Sequence, residues 1–305
     1  MRVALVHDWL NQNGGAERVL EVLHGLYPEA PVYTSLYAAD RLPQAYRSWD
    51  IRTSFMQRLP LAKRRHQPFL PLYPLAFRGF DLSAFDVVIS NSSGFCHCVP
   101  VAPGTLHINY CLTPPRFLWN LEHYLSRERV PGLVRTLLPP LAARLRDWDA
   151  RVAPESVSEF VAISRAVQER IHRVYGRGSA IIYPPVETSE FKTGGAADDY
   201  YLVASRLIPY KRVDLAVRAF TQLGLPLVVV GTGRDEAALR AIAGPSVRFE
   251  GYVSQTRLRA LLEGCRGFIF PGEEDFGIAP VEAQASGRPV VAFAAGGALD
   301  TVTAG

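Results

Sequence analysis

No run of eighteen apolar residues occurs in the 305-residue chain, so the sequence predicts no membrane-spanning helix. The opening MRVALVHDWL is a short apolar strand with a charge on each side and does not read as a secretory signal peptide. Cysteine is scarce. Cys96, Cys98, Cys111 and Cys265 make no disulfide framework, which points to a reducing compartment. Cys96-His97-Cys98 invites a metal reading, but the spaced pairs used by zinc sites are missing, and buried small residues near a strand end are the better expectation. Excess charge is small, +4 with a pI of about 8.9, too little to argue for a nucleic-acid partner. The G-x-G-x-x-G fingerprint is missing after the first strand, which argues against a nucleotide-dependent oxidoreductase.

What is present is an ordinary globular balance, 48% hydrophobic and 20% charged, over a length that suits two domains. Apolar runs alternate with helical patterns from end to end. Strands are expected at 2–7, 31–37, 86–91, 106–112 and 159–164, then at 200–205, 226–231, 247–253, 267–272 and 289–294. Helices fit at GAERVLEVLHGL, SRAVQERIHRVYG, KRVDLAVRAFTQLG, DEAALRAIAG and QTRLRALLEGC. Val/Ile-rich strands joined by helices argue for parallel sheets covered on both faces. The pattern falters at PPVETSEFKTGGAADD (184–199), which reads as a linker. The expected fold class is therefore α/β, with two doubly wound domains over residues 1–186 and 187–305 and a ligand cleft between them. GGALDTVTAG starts what should be another strand–helix unit, so the second domain reads as truncated.

Four segments carry chemistry. Gly14-Gly15 precede a helix, so bare backbone N–H groups can face an anion. In SRLIPYKR, Arg206 ends a strand and Lys211 opens a helix, offering a guanidinium and an ammonium to one diphosphate. Two such charges would stabilise a departing nucleotide without a metal. VVVGTGRDE is another strand-to-helix glycine turn. In EEDFGIAPVEA, Glu274 and Glu282 are separated by seven residues, the first in a loop beyond a strand and the second two turns into a helix closed by Gly287. Two acids so spaced can hold both ends of an extended polar ligand, and Gly277 removes a side chain where the helix N-terminus would meet an anion.

Together, S-R-(x)₄-K, V-G-x-G, G-Y-V at 251–253 and E-D-F-G-I-(x)₃-E-A resemble the C-terminal domain of family 4 retaining glycosyltransferases over residues 200–297. The first half is similar, more loosely, to mannosyl-type transferases of bacterial O-antigen and exopolysaccharide synthesis, through HDWL-(x)₃-GGAER, the proline-rich stretch 68–77 and YCLTPPRFLW at 110–119. The resemblance implies the GT-B fold, two Rossmann-like domains facing a central cleft with a nucleotide-sugar between them. It implies that the Gly15 backbone meets the donor phosphates, that Arg206 and Lys211 hold the diphosphate, and that Glu274 binds hydroxyls of the transferred sugar. Glu282 would bind the ribose, the backbone of Phe276, Gly277 and Ile278 would touch sugar and phosphate, and Val253 would lie against the base. It further implies retention of anomeric configuration, with the leaving phosphate taking the acceptor's proton, and neither cofactor nor metal.

One departure stands out. Relatives carry a His in a Y-x-H-T-P motif where this chain has Leu112, which can move no proton. That His is dispensable here, or another group such as His97 or His107 stands in, or activity is altered; the first is the expectation, with His107 packed in or beside a strand. Asp147-Trp148-Asp149 looks like a D-x-D metal clamp, but on a helix residues two apart point about 200° away from each other and cannot share an ion. Residues 52–80, with Lys63, Arg64 and Arg65 ahead of an aromatic-rich stretch, are either a loop packed on the first domain or a surface for lipid-linked acceptors and anionic headgroups. The function expected is a metal-independent retaining hexosyltransferase moving mannose from a GDP- or UDP-sugar to a glycan or polyprenyl-diphosphate-linked acceptor in cell-surface polysaccharide synthesis. It would be cytoplasmic, at the inner face of the plasma membrane. The alternative is a nucleotide-sugar-binding fragment with impaired catalysis.

Overall fold

The structure is a computed structural model that describes residues 1–64, 66–119, 121 and 132–303; Arg65 of the basic cluster lies outside them. The chain divides into two compact units, Met1–Pro185 and Val186–Gly305.

In the first unit the described strands are β1 (Val3–His7), β2 (Val32–Thr34), β3 (Ile51–Thr53), β4 (Val87–Ser92), β5 (Leu106–Cys111), β6 (Glu159–Ala162) and β7 (Ala180–Ile181). They form one parallel sheet in the order β3-β2-β1-β4-β5-β6-β7. Its described helices are α1 (Gly15–Leu26), α2 (Tyr73–Arg78), α3 (Arg116–Trp119), α4 (Gly132–Ser156) and α5 (Arg165–Tyr175). The second unit has β8 (Tyr201–Ala204), β9 (Leu227–Val230), β10 (Val247–Gly251), β11 (Gly267–Phe270) and β12 (Val290–Ala292), parallel in the order β10-β9-β8-β11-β12. Around them lie α6 (Val213–Leu223), α7 (Glu236–Ile242), α8 (Gln255–Gly264), α9 (Ile278–Ala285) and α10 (Ala298–Thr301).

Both faces of each sheet are covered, and the alternation of strand side chains shows it. Ala4 and Val6 of β1 enter one core, whereas Val3 and Leu5 enter another on the opposite face. In the second unit Leu202, Val228 and Phe268 pack on one side, and Val203, Val229 and Ile269 on the other. Continuous Val/Ile/Leu strands are the direct consequence, because a residue of either parity must be apolar.

Differences from expectation are local. β3 and β7 were not foreseen; they are edge strands of only three and two residues. Residues 52–80 are mostly short 3₁₀ turns around α2, and Met56, Tyr73 and Phe77 bury themselves in the first core, as the packing reading expected. The segment from Gly296 onward forms the four-residue helix α10. Its Ala298 packs in the same core as Ala283 of α9.

Candidate functional site

In the second unit the strand order runs outward in two directions from the β8–β11 pair. The C-terminal edge of such a pair is where helices diverge and leave a crevice. A small pocket opens there, lined by Ser205, Lys211, Phe270, Gly272 and Glu274 among others.

Lys211 is brought to this edge by a turn and not by the helix start the sequence suggested. Pro209–Lys211 is a 3₁₀ turn, and Arg212 at φ +52° interrupts the backbone before α6 begins at Val213. The Lys211 amide donates to Ile208 O at 3.0 Å. Gly272, at the end of β11, lies against this turn so closely that a Cβ there would sit 2.7 Å from Lys211 O. Lys211 Nζ forms an ion pair with Glu274 Oε1, and both side chains are largely withdrawn from solvent. Arg206, two residues past β8, reaches the Tyr210 hydroxyl at 3.2 Å, while the Lys211 ammonium lies 5.2 Å from the centre of the Tyr210 ring. Tyr210 therefore links the two predicted phosphate-holding cations, a connection the sequence reading missed.

Glu274 lies in the loop between β11 and α9. Gly277 caps α9 at φ +94°, and a Cβ there would be 3.1 Å from the Phe270 ring. The positive φ favours glycine, and the packed ring leaves a Cβ little room. Ile278 is the first residue of α9 and Glu282 the fifth, so Glu282 sits just over one turn in, not two. Glu282 is buried, and Phe276 is buried beside it in the chain order of the same loop and helix. Val253, beyond β10, packs on the core that includes Ala279 and Ala283 of α9. Arg206, Lys211, Val253 and Glu274 thus lie beyond the C-terminal ends of β8, β10 and β11, with Phe276 and Gly277 leading into α9 and Ile278 and Glu282 inside it.

Two further glycines explain V-G-x-G. A Cβ on Gly231 would sit 1.9 Å from Ser205 O, and one on Gly233 would sit 2.1 Å from Leu207 O. The loop after β9 lies directly on the backbone that precedes the Lys211 turn.

Gly15 belongs to the first unit, at the start of α1, with an exposed backbone. It follows β1, next to β4, the point at which the first sheet also runs outward in two directions. The HDWL motif has a scaffolding role here. The buried Asp8 carboxylate accepts from the backbone amides of Ser93 (2.6 Å), Gly94 (2.7 Å), Phe95 (2.8 Å) and Cys96 (2.9 Å). It thereby anchors the turn after β4. His7 Nε2 stands 3.5 Å from Oε1 of the buried Glu17 in GGAER, and the Asn91 amide donates to Ala16 O at 2.8 Å.

Neither histidine considered as a stand-in for Leu112 is available. His107 Nδ1 donates to Ser156 O at 2.7 Å and Nε2 accepts from Ser90 Oγ at 2.8 Å, and burial pushes its imidazole down to about 4. His97 Nε2 donates to Asp149 Oδ1 at 2.8 Å. Asp149 also accepts from the Trp119 indole and the Tyr175 hydroxyl, each at 2.9 Å. Asp147 is exposed and Asp149 buried, as opposite helix faces require. The ligand atoms of His97, Cys98 and Asp149 do come within 4.8 Å of one another, so two residues of one motif set aside as a metal site meet one residue of the other. Three ordinary donors already satisfy Asp149, and the cluster is complete as a hydrogen-bonded clasp. All four cysteines are free and buried, and burial raises the Cys96 and Cys98 thiols well above their ordinary range. No described helix is long and apolar enough to cross a membrane.

Residues 198–305 match the family described as Glycosyl transferases group 1. The chain is 34% identical over 160 residues to a GDP-mannose-dependent alpha-mannosyltransferase of Mycolicibacterium smegmatis, an overlap of 50% of this chain and 42% of the relative. It is 33% identical over 138 residues to a GDP-mannose-dependent monoacylated alpha-(1-6)-phosphatidylinositol monomannoside mannosyltransferase of Corynebacterium glutamicum, covering 39% and 36% respectively. The chain thus spans less than half the length of these curated relatives. Its whole length superposes on the structure of Anabaena Alr3699/HepE in complex with UDP and glucose, with TM-score 0.67, 19% identity and 84% of that chain covered.

Proposed function

We propose that this chain, whose residues 198–305 match glycosyl transferases group 1, is a retaining hexosyltransferase of GT-B fold that moves mannose from GDP-mannose to a glycan or lipid-linked acceptor. The observation that carries the reading is the meeting of Lys211 and Glu274 at the C-terminal edge of β8 and β11. A cation and an acid side by side suit a diphosphate joined to a polyhydroxyl ring. Lys211 and Arg206 would hold the diphosphate, Glu274 the hydroxyls of the sugar and Glu282 those of the ribose. The N–H groups that open α9 would face the phosphate, since Gly277 leaves that helix end bare.

The chemistry needs no base at Leu112. As the bond between the anomeric carbon and the phosphate oxygen breaks, negative charge develops on the diphosphate, and Arg206 and Lys211 stabilise it. The acceptor hydroxyl attacks from the same face, and the departing phosphate takes its proton. Such a reaction retains configuration and calls for no divalent ion. GDP-mannose is preferred over UDP-sugars because the relatives at 33–34% identity are named for it, while the UDP complex is at 19%.

The acceptor is proposed to be lipid-linked, in cell-surface polysaccharide synthesis at the inner membrane face. Supporting this, Phe55, Leu61 and Leu75 stand exposed in the stretch that also carries Arg58, Lys63 and Arg64. Apolar side chains interspersed with cations suit an anionic bilayer surface. The test is a mass-based transfer assay with GDP-mannose, UDP-glucose and UDP-N-acetylglucosamine on polyprenyl-diphosphate glycans. Mannose transfer with retained configuration is expected; no transfer from any of the three donors counts against the proposal.

A further inference from the structure

Glu274 lies in a loop with no regular structure, so something outside that loop must fix the backbone that carries its side chain. The structure shows what does. After β12 the chain turns back, with Ala295 N donating to Phe293 O at 2.7 Å, and comes alongside the 274–276 loop. Glu274 and Gly296 form an isolated parallel bridge, and Gly297 N donates to Glu274 O at 2.8 Å. The β11–β12 pairing is thereby resumed for one step beyond the crevice.

The fit demands two glycines. Gly296 has φ +62°, and a Cβ on it would lie 2.2 Å from Glu274 O. A Cβ on Gly297 would lie 2.2 Å from Phe276 Cα and 2.5 Å from Asp275 O. These neighbours are backbone atoms and cannot swing aside. Behind the glycines, Thr301 Oγ1 of α10 donates to Gly297 O at 3.3 Å, and Gln284 Nε2 of α9 donates to Thr301 O at 2.9 Å. The strap is therefore held at the core end by α9 and presses its glycine pair onto the site loop.

We infer that Gly296 and Gly297 are positioning residues for the transfer reaction, a mould that sets Glu274 and the backbone of Phe276 for the sugar while leaving the grip on the diphosphate to Arg206 and Lys211. The inference rests on the donor-site reading above. Displacement of a positioned group by about 1 Å can cost on the order of a hundredfold in rate.

The test measures GDP affinity by calorimetry and the rate of GDP release from GDP-mannose, with melting curves as the control for folding. For Gly297→Ala we expect a rate about a hundredfold lower, with the GDP Kd changed less than about threefold. In a Glu274→Gln background the same substitution should cause a clearly smaller further loss, because one of the two groups it misplaces is already gone. Thr301→Val, which adds no bulk at the loop, should lower the rate more mildly at an unchanged GDP Kd. If Gly297→Ala destabilises the protein, Thr301→Val still decides the matter. Wild-type rates in both variants would overturn the inference alone, as would equal losses with and without the Glu274 carboxylate. Failure of the wild-type chain to bind GDP or UDP would overturn the donor-site reading, and the inference with it.

Discussion

Neutralising Glu274 should tighten the binding of a nucleoside diphosphate even as it damages transfer. In the structure the Lys211 ammonium is spent on Glu274, with side-chain exposures of 17% and 16%. A diphosphate must draw the cation away from that carboxylate. At an effective dielectric near 20 two such charges attract by about 4 kcal/mol, most of it offset by desolvation. Exposed pairs are worth under about 1 kcal/mol, and a pair withdrawn this far from solvent should lie near 1–2 kcal/mol. Glu274→Gln should therefore lower the GDP Kd about five- to thirtyfold in titration calorimetry. Removing any negative charge near a phosphate could tighten binding through its field alone, so the decisive comparison is made without the cation. In a Lys211→Ala background Glu274→Gln should leave the Kd nearly unchanged. Equal tightening with and without Lys211, or weaker binding in Glu274→Gln, would refute the competition.

Other consequences concern the scaffold. Asp8→Asn turns an amide donor toward four backbone N–H groups and should cost the first unit about 2–4 kcal/mol in urea or thermal unfolding, whereas an unchanged midpoint would mean that the turn at 93–96 holds itself. Burial lowers His66 and His107 to about 4 from 6.5. Between those values the unfolded chain binds protons that the folded chain does not. Stability is thus full above about pH 6.5 and falls toward pH 4, by roughly 3 kcal/mol per histidine. Unfolding titrations from pH 7 to 4.5 should show this slope, and His107→Gln should flatten it; an unaltered slope would contradict the assignment.

Much of the architecture was legible because it is local. α1 and α8 begin where their apolar periodicity and start signals placed them, and α5 and α6 end at glycines in the left-handed region. Parallel strands buried on both faces announce themselves as apolar runs, which is why β1, β9 and β11 were plain and the edge strand β3, Ile-Arg-Thr, was not. The conformation of Arg212 was invisible: an arginine at positive φ has no sequence signal, and it moved Lys211 out of α6 into a turn. Contacts between distant segments were also beyond reach. Asp8 meets residues 85 or more positions away, and His97 meets Asp149 across 52. Each half of such a pair looks dispensable when weighed alone. Gly296-Gly297 could have been flagged, since paired glycines beyond a strand mark close backbone approach, but the partner loop could be found only in three dimensions.

The most direct measurement is a crystal structure of the chain soaked with GDP-mannose. The diphosphate is expected at the C-terminal ends of β8 and β11, with Lys211 Nζ about 3 Å from a phosphate oxygen and Glu274 on a mannose hydroxyl. A nucleotide bound elsewhere on the second unit, with Lys211 still joined to Glu274, would contradict it.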